Sequence, residues 1–434
     1  MWMTEIENLR RELSVTPAGE ICREVLFYQG VKEYYSQPPI IAKSYGTAAV
    51  MAKAKAYLYQ NDLIAGSIRG IFQKDVDERI MGHAKQVYRS YGQNHFGTNS
   101  DHFAPDYQTF LGDGIGGTYR KIEVSRKLHK DAKARRFLKA AKITLDGFCG
   151  MLQNYAEEAD KKAEAEKGEK KRRFLNMAAD LRMLLTEKPT TFRQALQLIF
   201  LCHIAFLLQD KHAMAFGRMD QFLLPYYEKD LRQGVLTREE AVALLTSMFI
   251  KIGEHRYLGG DDTVNICIGG ITPTGEDAVN PLSYCILEAV RIANIPGPNL
   301  SARIHERTPD KFLDEALKVI ATGLGYPALM NDNINIPALL RHGYAREDVN
   351  DYCFVGCVEN FIPGKQPPWS DGRFNVPMYF EPLLFHGKAL LHPDYIGLDT
   401  GGPEALKTMK DFLKAFHRQL AYGFSEYYMF FNNE

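Results

Sequence analysis

The stretch Asp351-Tyr352-Cys353-Phe354-Val355-Gly356-Cys357-Val358-Glu359-Asn360 carries the densest chemistry in the chain. Its two cysteines are four positions apart. A structural zinc site needs four ligands, and no second Cys/His pair of suitable spacing accompanies them. Nor is this the C-x-x-C of a redox disulfide. One reading of Cys353 and Cys357 is two small buried residues on a strand-like loop. A sharper one concerns Cys357-Val358-Glu359. Residues two apart on an extended chain face the same side, which sets a thiol beside a carboxylate. The first suits nucleophilic or radical chemistry and the second general-base work. Gly356 just before them permits close approach of a ligand or another backbone.

Around this stretch, residues 323–377 are rich in Gly, Pro and Asn and predict little helix. Loop regions this long inside a compact chain are usually functional. Upstream, helical periodicity dominates. Residues 4–13 and 48–60 read as helices, the second ending at the turn signal Asn61-Asp62. Residues 121–185 read as mostly helix, and the charge run 157–173 as a solvated helix pair with a turn at Gly168. The longest apolar run, 198–208, is broken by His203 and is too short for a bilayer, which needs ~20 residues. It predicts a buried core helix over 192–208, with His203 a satisfied core residue. Thr237 and Glu240 form a capping box for a helix reaching about Ile252. Residues 264–268 predict a short strand closed by Gly269-Gly270, 281–291 a helix, and 300–304 an alternating strand. Thr308-Pro309-Asp310 opens a helix over 311–322, and 407–431 return to helix. No repeat or low-complexity linker divides the chain. The expectation is one large α/β unit with helices outside a sheet.

The 434 residues include 53 Lys and Arg against 53 Asp and Glu. That balance excludes a nucleic-acid binder acting through bulk basic charge, and an acidic solvating tail. Apolar residues at 45% and aromatics at 12% suffice for a large core. The seven cysteines, Cys22, Cys149, Cys202, Cys267, Cys285, Cys353 and Cys357, are odd in number and mostly widely spaced. They predict reduced thiols in a cytosolic protein. No basic region followed by an apolar run opens the sequence, so the expected location is cytoplasmic, with no membrane partner.

Other segments fall in order with the Gly356-Cys357-Val358-Glu359 loop. They are Asn61-Asp62-Leu63-Ile64-Ala65-Gly66, His102-Phe103-Ala104-Pro105-Asp106-Tyr107, and Gly114-Ile115-Gly116-Gly117. Then come His212-Ala213-Met214-Ala215-Phe216-Gly217-Arg218-Met219-Asp220-Gln221, with Pro225-Tyr226-Tyr227 and Asp230 after it, and Gly364-Lys365. Together they resemble the glycyl radical enzymes, the pyruvate formate-lyase-like superfamily, from about residue 5 to the last residue. Any one of these motifs is weak, but six in order are specific.

The resemblance implies an α/β barrel of two antiparallel five-stranded half-barrels surrounded by helices, with the cysteine loop at its centre. The barrel is expected to be incomplete. The family's radical glycine lies in a C-terminal R-V-x-G-[YF] loop, whereas Gly423, in Ala421-Tyr422-Gly423-Phe424, sits in a helical run. The family is also nearly twice this length. Residues 1–434 therefore read as a truncated pyruvate formate-lyase-like domain without its glycine radical domain, expected to be inactive by itself.

The implied chemistry stores a radical on a backbone glycine, which takes hydrogen from the cysteine thiol. The thiyl radical then takes hydrogen from substrate in a closed, dry cavity. No metal or bound cofactor is expected, and the organic radical is installed by a radical S-adenosylmethionine activating enzyme. The expected partners are that activator, a small-molecule substrate and a second copy in a homodimer. Gly356 stands where pyruvate formate-lyases have a second cysteine, which argues against formate acetyltransferase activity. Glu359 instead marks the dehydratases, C–N and C–S lyases and decarboxylases of anaerobic metabolism. Gly364-Lys365-Gln366-Pro367-Pro368-Trp369-Ser370-Asp371 resembles the glycerol/diol dehydratase segment whose Asp binds a substrate hydroxyl. By this resemblance Cys357 abstracts hydrogen and Glu359 is the base. His102, His212 and Asp371 bind substrate and orient or protonate the leaving group. Ala213 replaces a serine of those enzymes, which removes one hydroxyl contact and lowers discrimination for glycerol. Arg218 and Asp220 are expected to pair and brace the barrel. The alternatives are another lyase or decarboxylase with the same loop, or a catalytically incomplete half or scaffold that needs a second chain.

Overall fold

The computed structural model describes residues 2–15, 23–71, 78–91, 102–258, 263–368, 374–390 and 397–432. Its contacts divide into two compact units, Met1–Ser370 and Asp371–Glu434.

Four short strands form the sheet of the first unit. These are β1 (Ala215–Arg218), β2 (Asn265–Gly269), β3 (Asn299–Ile304) and β4 (Ala328–Asn331). They are all parallel, in the order β1-β2-β3-β4. Parallel neighbours require crossovers. Helix Arg238–Ile252 is part of the first, Pro281–Ala293 forms the second and Asp310–Val319 lies in the third. The strands expected at 264–268 and 300–304 appear within a residue of those bounds.

Side chains along β2 and β3 alternate between faces. Phe216, Ile266, Ile268, Leu300 and Ala302 join the main core with helices Phe192–Leu208, Arg238–Ile252 and Pro281–Ala293. The first of these helices is buried nearly all round, as an interior helix must be to satisfy so apolar a sequence. Thr191 with Gln194, and Thr237 with Glu240, close capping boxes that satisfy the first amides of two of these helices. The opposite face of the sheet carries Asn265, Cys267, Ser301 and Arg303, all buried. Buried polar groups need partners: Asn265 donates to Cys357 O in the turn of a two-stranded antiparallel hairpin, β5 (Cys353–Val355) and β6 (Glu359–Phe361), and to Ser301 Oγ, while Arg303 donates to Tyr352 O just before that hairpin. A second, smaller core joins Ala215 and Cys267 of the sheet to Cys353, Phe354, Val355 and Phe361 of the hairpin.

Two sequence expectations need correction. The helix expected at 48–60 runs Pro39–Lys53, started by Pro39 in its first turn. Ala54 turns extended, and the Lys55 amide donates to Gly70 O at 3.1 Å, so pairing with a distant segment overrides the Ala/Lys/Tyr propensity. Residues 323–377 contain helices Asp332–Arg341 and Arg346–Asn350. The first holds Pro337 in its interior, where proline disfavours helix. The early motif is structural: Asp62 pairs with Lys251 at 2.7 Å, both fully buried, and burial pushes its carboxyl up to about 6 against the pull of that lysine.

In the second unit, Phe374 stacks between Tyr379 and Phe424, and Phe380 stacks on Phe416 of helix Met409–Asn432. Gly423 lies in this helix, and a Cβ there would run into the Tyr379 ring. It is a glycine of close packing.

Candidate active site

The hairpin turns through Gly356, Cys357 and Val358, with Val355 facing Glu359 across the ladder. The thiol and carboxylate are therefore not alternate residues of an extended strand, as the sequence suggested. Gly356 adopts φ +52°, a left-handed conformation that favours glycine. The turn is then closed by the carboxylate itself: Glu359 Oε2 accepts from the amides of Cys357 at 2.9 Å and Val358 at 3.0 Å. A Cβ at Gly356 would meet the His102 ring at 2.7 Å and Glu359 Oε2 at 3.0 Å. Imidazole, carboxylate and the cysteine backbone thus converge on one glycine.

Segments far apart in sequence hold this glycine. The Gly356 amide donates to Ala213 O at 2.8 Å, which brings the His212 segment to the turn. Gly356 O accepts from Asn299 Nδ2 at 3.1 Å and Asn265 Nδ2 at 3.5 Å. The Gly364 amide donates to Ala104 O, and a Cβ at Gly364 would meet Asp106 at 2.5 Å, so the segment after His102 packs against the segment after the hairpin. At the hairpin's base, Arg303 lies 4.0 Å over the Tyr352 ring and donates to Tyr352 O and Asn350 O. It also makes a two-pronged pair with Asp332, at 2.8 and 2.9 Å. Cys353 is buried beside Cys267, and burial pushes both thiols up, that of Cys267 to about 12. Buried, protonated thiols of this kind pack rather than react.

His102 is buried against the turn. His212 Nε2 lies 3.2 Å from Asp210 Oδ1, which also pairs with Arg23 at 2.9 Å, so Asp210 fixes the ring's orientation. His255 stands edge-on at 5.2 Å. His203 is buried against Phe216 on the core side. Burial, with neighbouring histidines, pushes His203 and His255 each down to about 3. Asp371 lies outside the described residues. Cys357 is exposed in this chain rather than enclosed in a cavity, and so is Val358 beside it.

Arg218 and Asp220 brace the sheet separately rather than as a pair. Arg218 donates to Asp351 at 2.9 Å and to Gly269 O and Ile271 O, while Asp220 accepts from the Gly269 amide and the Ser283 hydroxyl. Sequence reasoning missed Asn265, Asn299 and Asp210. The two asparagines carried one signal: they sit at the polar phase of strands whose other phase is apolar. Among the described residues no group of three or more His, Cys, Asp or Glu is placed to hold a metal ion, and no helix is long and apolar enough to cross a membrane.

Residues 70–432 match the pyruvate formate lyase-like family model. The chain belongs to that family, the glycyl radical enzymes. It is 29% identical over 356 residues to (2S)-3-sulfopropanediol dehydratase of Klebsiella oxytoca, covering 76% of this chain and 43% of the relative. It is 32% identical over 305 residues to isethionate sulfite-lyase of Nitratidesulfovibrio vulgaris, covering 67% and 37%. The glycerol-bound B12-independent glycerol dehydratase of Clostridium butyricum superposes with a TM-score of 0.86 at 25% identity, over 97% of this chain and 62% of that one. The fold is therefore the glycyl radical enzyme α/β barrel in part. The chain spans less than half the length of these curated relatives.

Proposed function

We propose that this chain forms part of a glycyl radical lyase that eliminates a leaving group from a small polar substrate, in the manner of the diol dehydratases. The observation that carries this reading is the convergence of Cys357, Glu359 and His102 on one glycine, at a turn hung from the polar face of the sheet. The exposed thiol fits a site completed by protein outside these 434 residues. A glycyl radical would supply the one-electron chemistry at Cys357, whose thiol would give up its hydrogen to become the reactive sulfur radical.

Cys357 then takes a hydrogen atom from a substrate carbon bearing a hydroxyl, which leaves a carbon radical and restores the S–H bond. Glu359 accepts the proton of that hydroxyl, which favours expulsion of the leaving group on the neighbouring carbon. His102 or His212 supplies the proton that carries a hydroxide off as water. Asp371 binds a substrate hydroxyl. The product radical takes a hydrogen atom back from Cys357, which leaves the sulfur as the radical that began the cycle, so no hydrogen is gained or lost at Cys357 over one turnover. The site operates as a homodimer activated by a radical S-adenosylmethionine enzyme. A C–S bond in place of the C–O bond is a variant of the same elimination, and the similarity to a sulfite-lyase favours keeping it.

The test is Glu359→Gln in the enzyme joined to the portion its relatives carry outside the matched region. Turnover should fall by ~10²–10⁴, the usual cost of a lost base, with the glycyl radical signal intact. Unchanged turnover would remove Glu359 from the chemistry. Exposure of Cys357 also favours a second reading, a half that is inert without another chain. Turnover by these 434 residues alone would exclude it.

A further inference from the structure

One peptide plane in the hairpin is gripped at both ends. Its oxygen, Gly356 O, accepts from Asn299 at 3.1 Å and from Asn265 at 3.5 Å. Its amide, on Cys357, donates to Glu359 Oε2 at 2.9 Å. The two asparagines are register partners on β2 and β3, so the parallel ladder itself sets them side by side under the turn. Their contributions differ. Asn265 Nδ2 is divided among Ser301 Oγ at 3.1 Å, Gly356 O, and Cys357 O at 3.4 Å. Asn299 makes the short bond, and its orientation is fixed from behind, because the Tyr326 hydroxyl donates to Asn299 Oδ1. With its oxygen occupied there, the amide nitrogen faces Gly356 O. A peptide whose oxygen accepts a hydrogen bond becomes a stronger donor at its N–H, because successive hydrogen bonds polarise one another. Tyr326, Asn299, the peptide and Glu359 thus form one directional chain that ends on the carboxylate.

We infer that Asn299 is a positioning residue for the reactive pair, acting through the Gly356–Cys357 peptide to hold the Cys357 thiol and the Glu359 carboxylate at a fixed offset. Its importance for catalysis rests on the hydrogen-abstracting role proposed for Cys357, but the clamp does not. Gly356 is the residue that makes the clamp possible, since its left-handed backbone aims the carbonyl at the sheet while leaving room for His102.

The test uses the 434-residue chain isotopically labelled at its seven cysteine nitrogens, read by amide NMR. Asn299→Asp keeps the shape of the side chain and replaces the donor by an acceptor. The Cys357 amide resonance should move upfield while those of the other six cysteines stay in place. Alkylation of Cys357 by iodoacetamide should change roughly fivefold, the population change when one ordinary hydrogen bond is lost. A Cys357 resonance that stays in place in the folded variant overturns the inference. Should the variant fail to fold, hydrogen exchange in the wild-type chain decides: slow exchange of the Cys357 amide, despite its exposed side chain, supports the clamp, and exchange at the rate of a free loop refutes it. Failure of the wider functional reading looks different. Turnover by a Cys357→Ser enzyme would remove the thiyl chemistry and leave the Asn299→Asp resonance shift as it was.

Discussion

The two faces of β2 and β3 are made from alternate residues of the same short strands, and they serve different ends. On one face Ile266, Ile268, Leu300 and Ala302 are sealed under helices. On the other, Asn265, Ser301 and Arg303 are just as buried, yet every one is engaged in hydrogen bonds around the hairpin or beside it. The apolar face contributes stability by burial, which is insensitive to orientation. The polar face contributes direction. Its groups are costly to bury unless paired, so they tolerate only a hairpin placed to pair them, and that placement fixes where Cys357 stands.

Substitutions on each face should separate these roles. Arg303→Met should have the largest effect, because it leaves Asp332 buried without its two-pronged partner; a loss of about 3–5 kcal/mol in urea unfolding is expected. It should also free the hairpin base and raise the alkylation rate of Cys357. Leu300→Ala, one face away, should cost about 3 kcal/mol by transfer and cavity terms, while Cys357 reacts as before. If the two variants disturbed Cys357 equally, the division between faces would be wrong.

Gly356→Ala sharpens the comparison at the turn. A left-handed alanine costs roughly 1–2 kcal/mol, and its methyl group would also have to displace the His102 ring. Thermal unfolding should shift modestly, while the Cys357 amide resonance moves strongly. The smallest effect is read over a single unit of pH. Burial holds His203 and His255 down at about 3 in the folded chain, against 6.5 when unfolded. The unfolded state therefore binds more protons below 6.5, and stability falls as pH falls from there toward 3. Over the first pH unit each histidine should remove about 1 kcal/mol. His255→Gln should flatten the urea midpoint's dependence on pH in that window, and an unchanged slope would place the acid sensitivity elsewhere.

Much of the apolar face was legible in the sequence. The helix over 192–208, the Thr237 capping box and the short strands announced themselves through periodicity and caps, which are local signals. The cysteine loop was legible as chemistry but not as geometry. The sequence alone suggests an extended Cys357-Val358-Glu359, yet the Glu359 carboxylate caps two amides and closes a turn, a long-range consequence of Gly356 being pinned to Ala213 and Asn299. His102 and His212 were picked out by motif, and the structure brings the His102 ring and the Ala213 carbonyl to the same glycine. Asn265 and Asn299 stayed hidden because a lone asparagine in a short strand looks like an edge or a turn until its register partner is known. The helix Asp332–Arg341 was lost to its internal proline.

The most direct measurement is made on Cys357→Ser, in the enzyme joined to the portion its relatives carry outside the matched region and treated with a radical S-adenosylmethionine activating enzyme. Electron paramagnetic resonance and product formation are read on the same sample. The account predicts a glycyl radical signal at wild-type amplitude with no product, because the serine O–H bond is too strong to pass hydrogen as a thiol does. Product formed by the serine variant would contradict it.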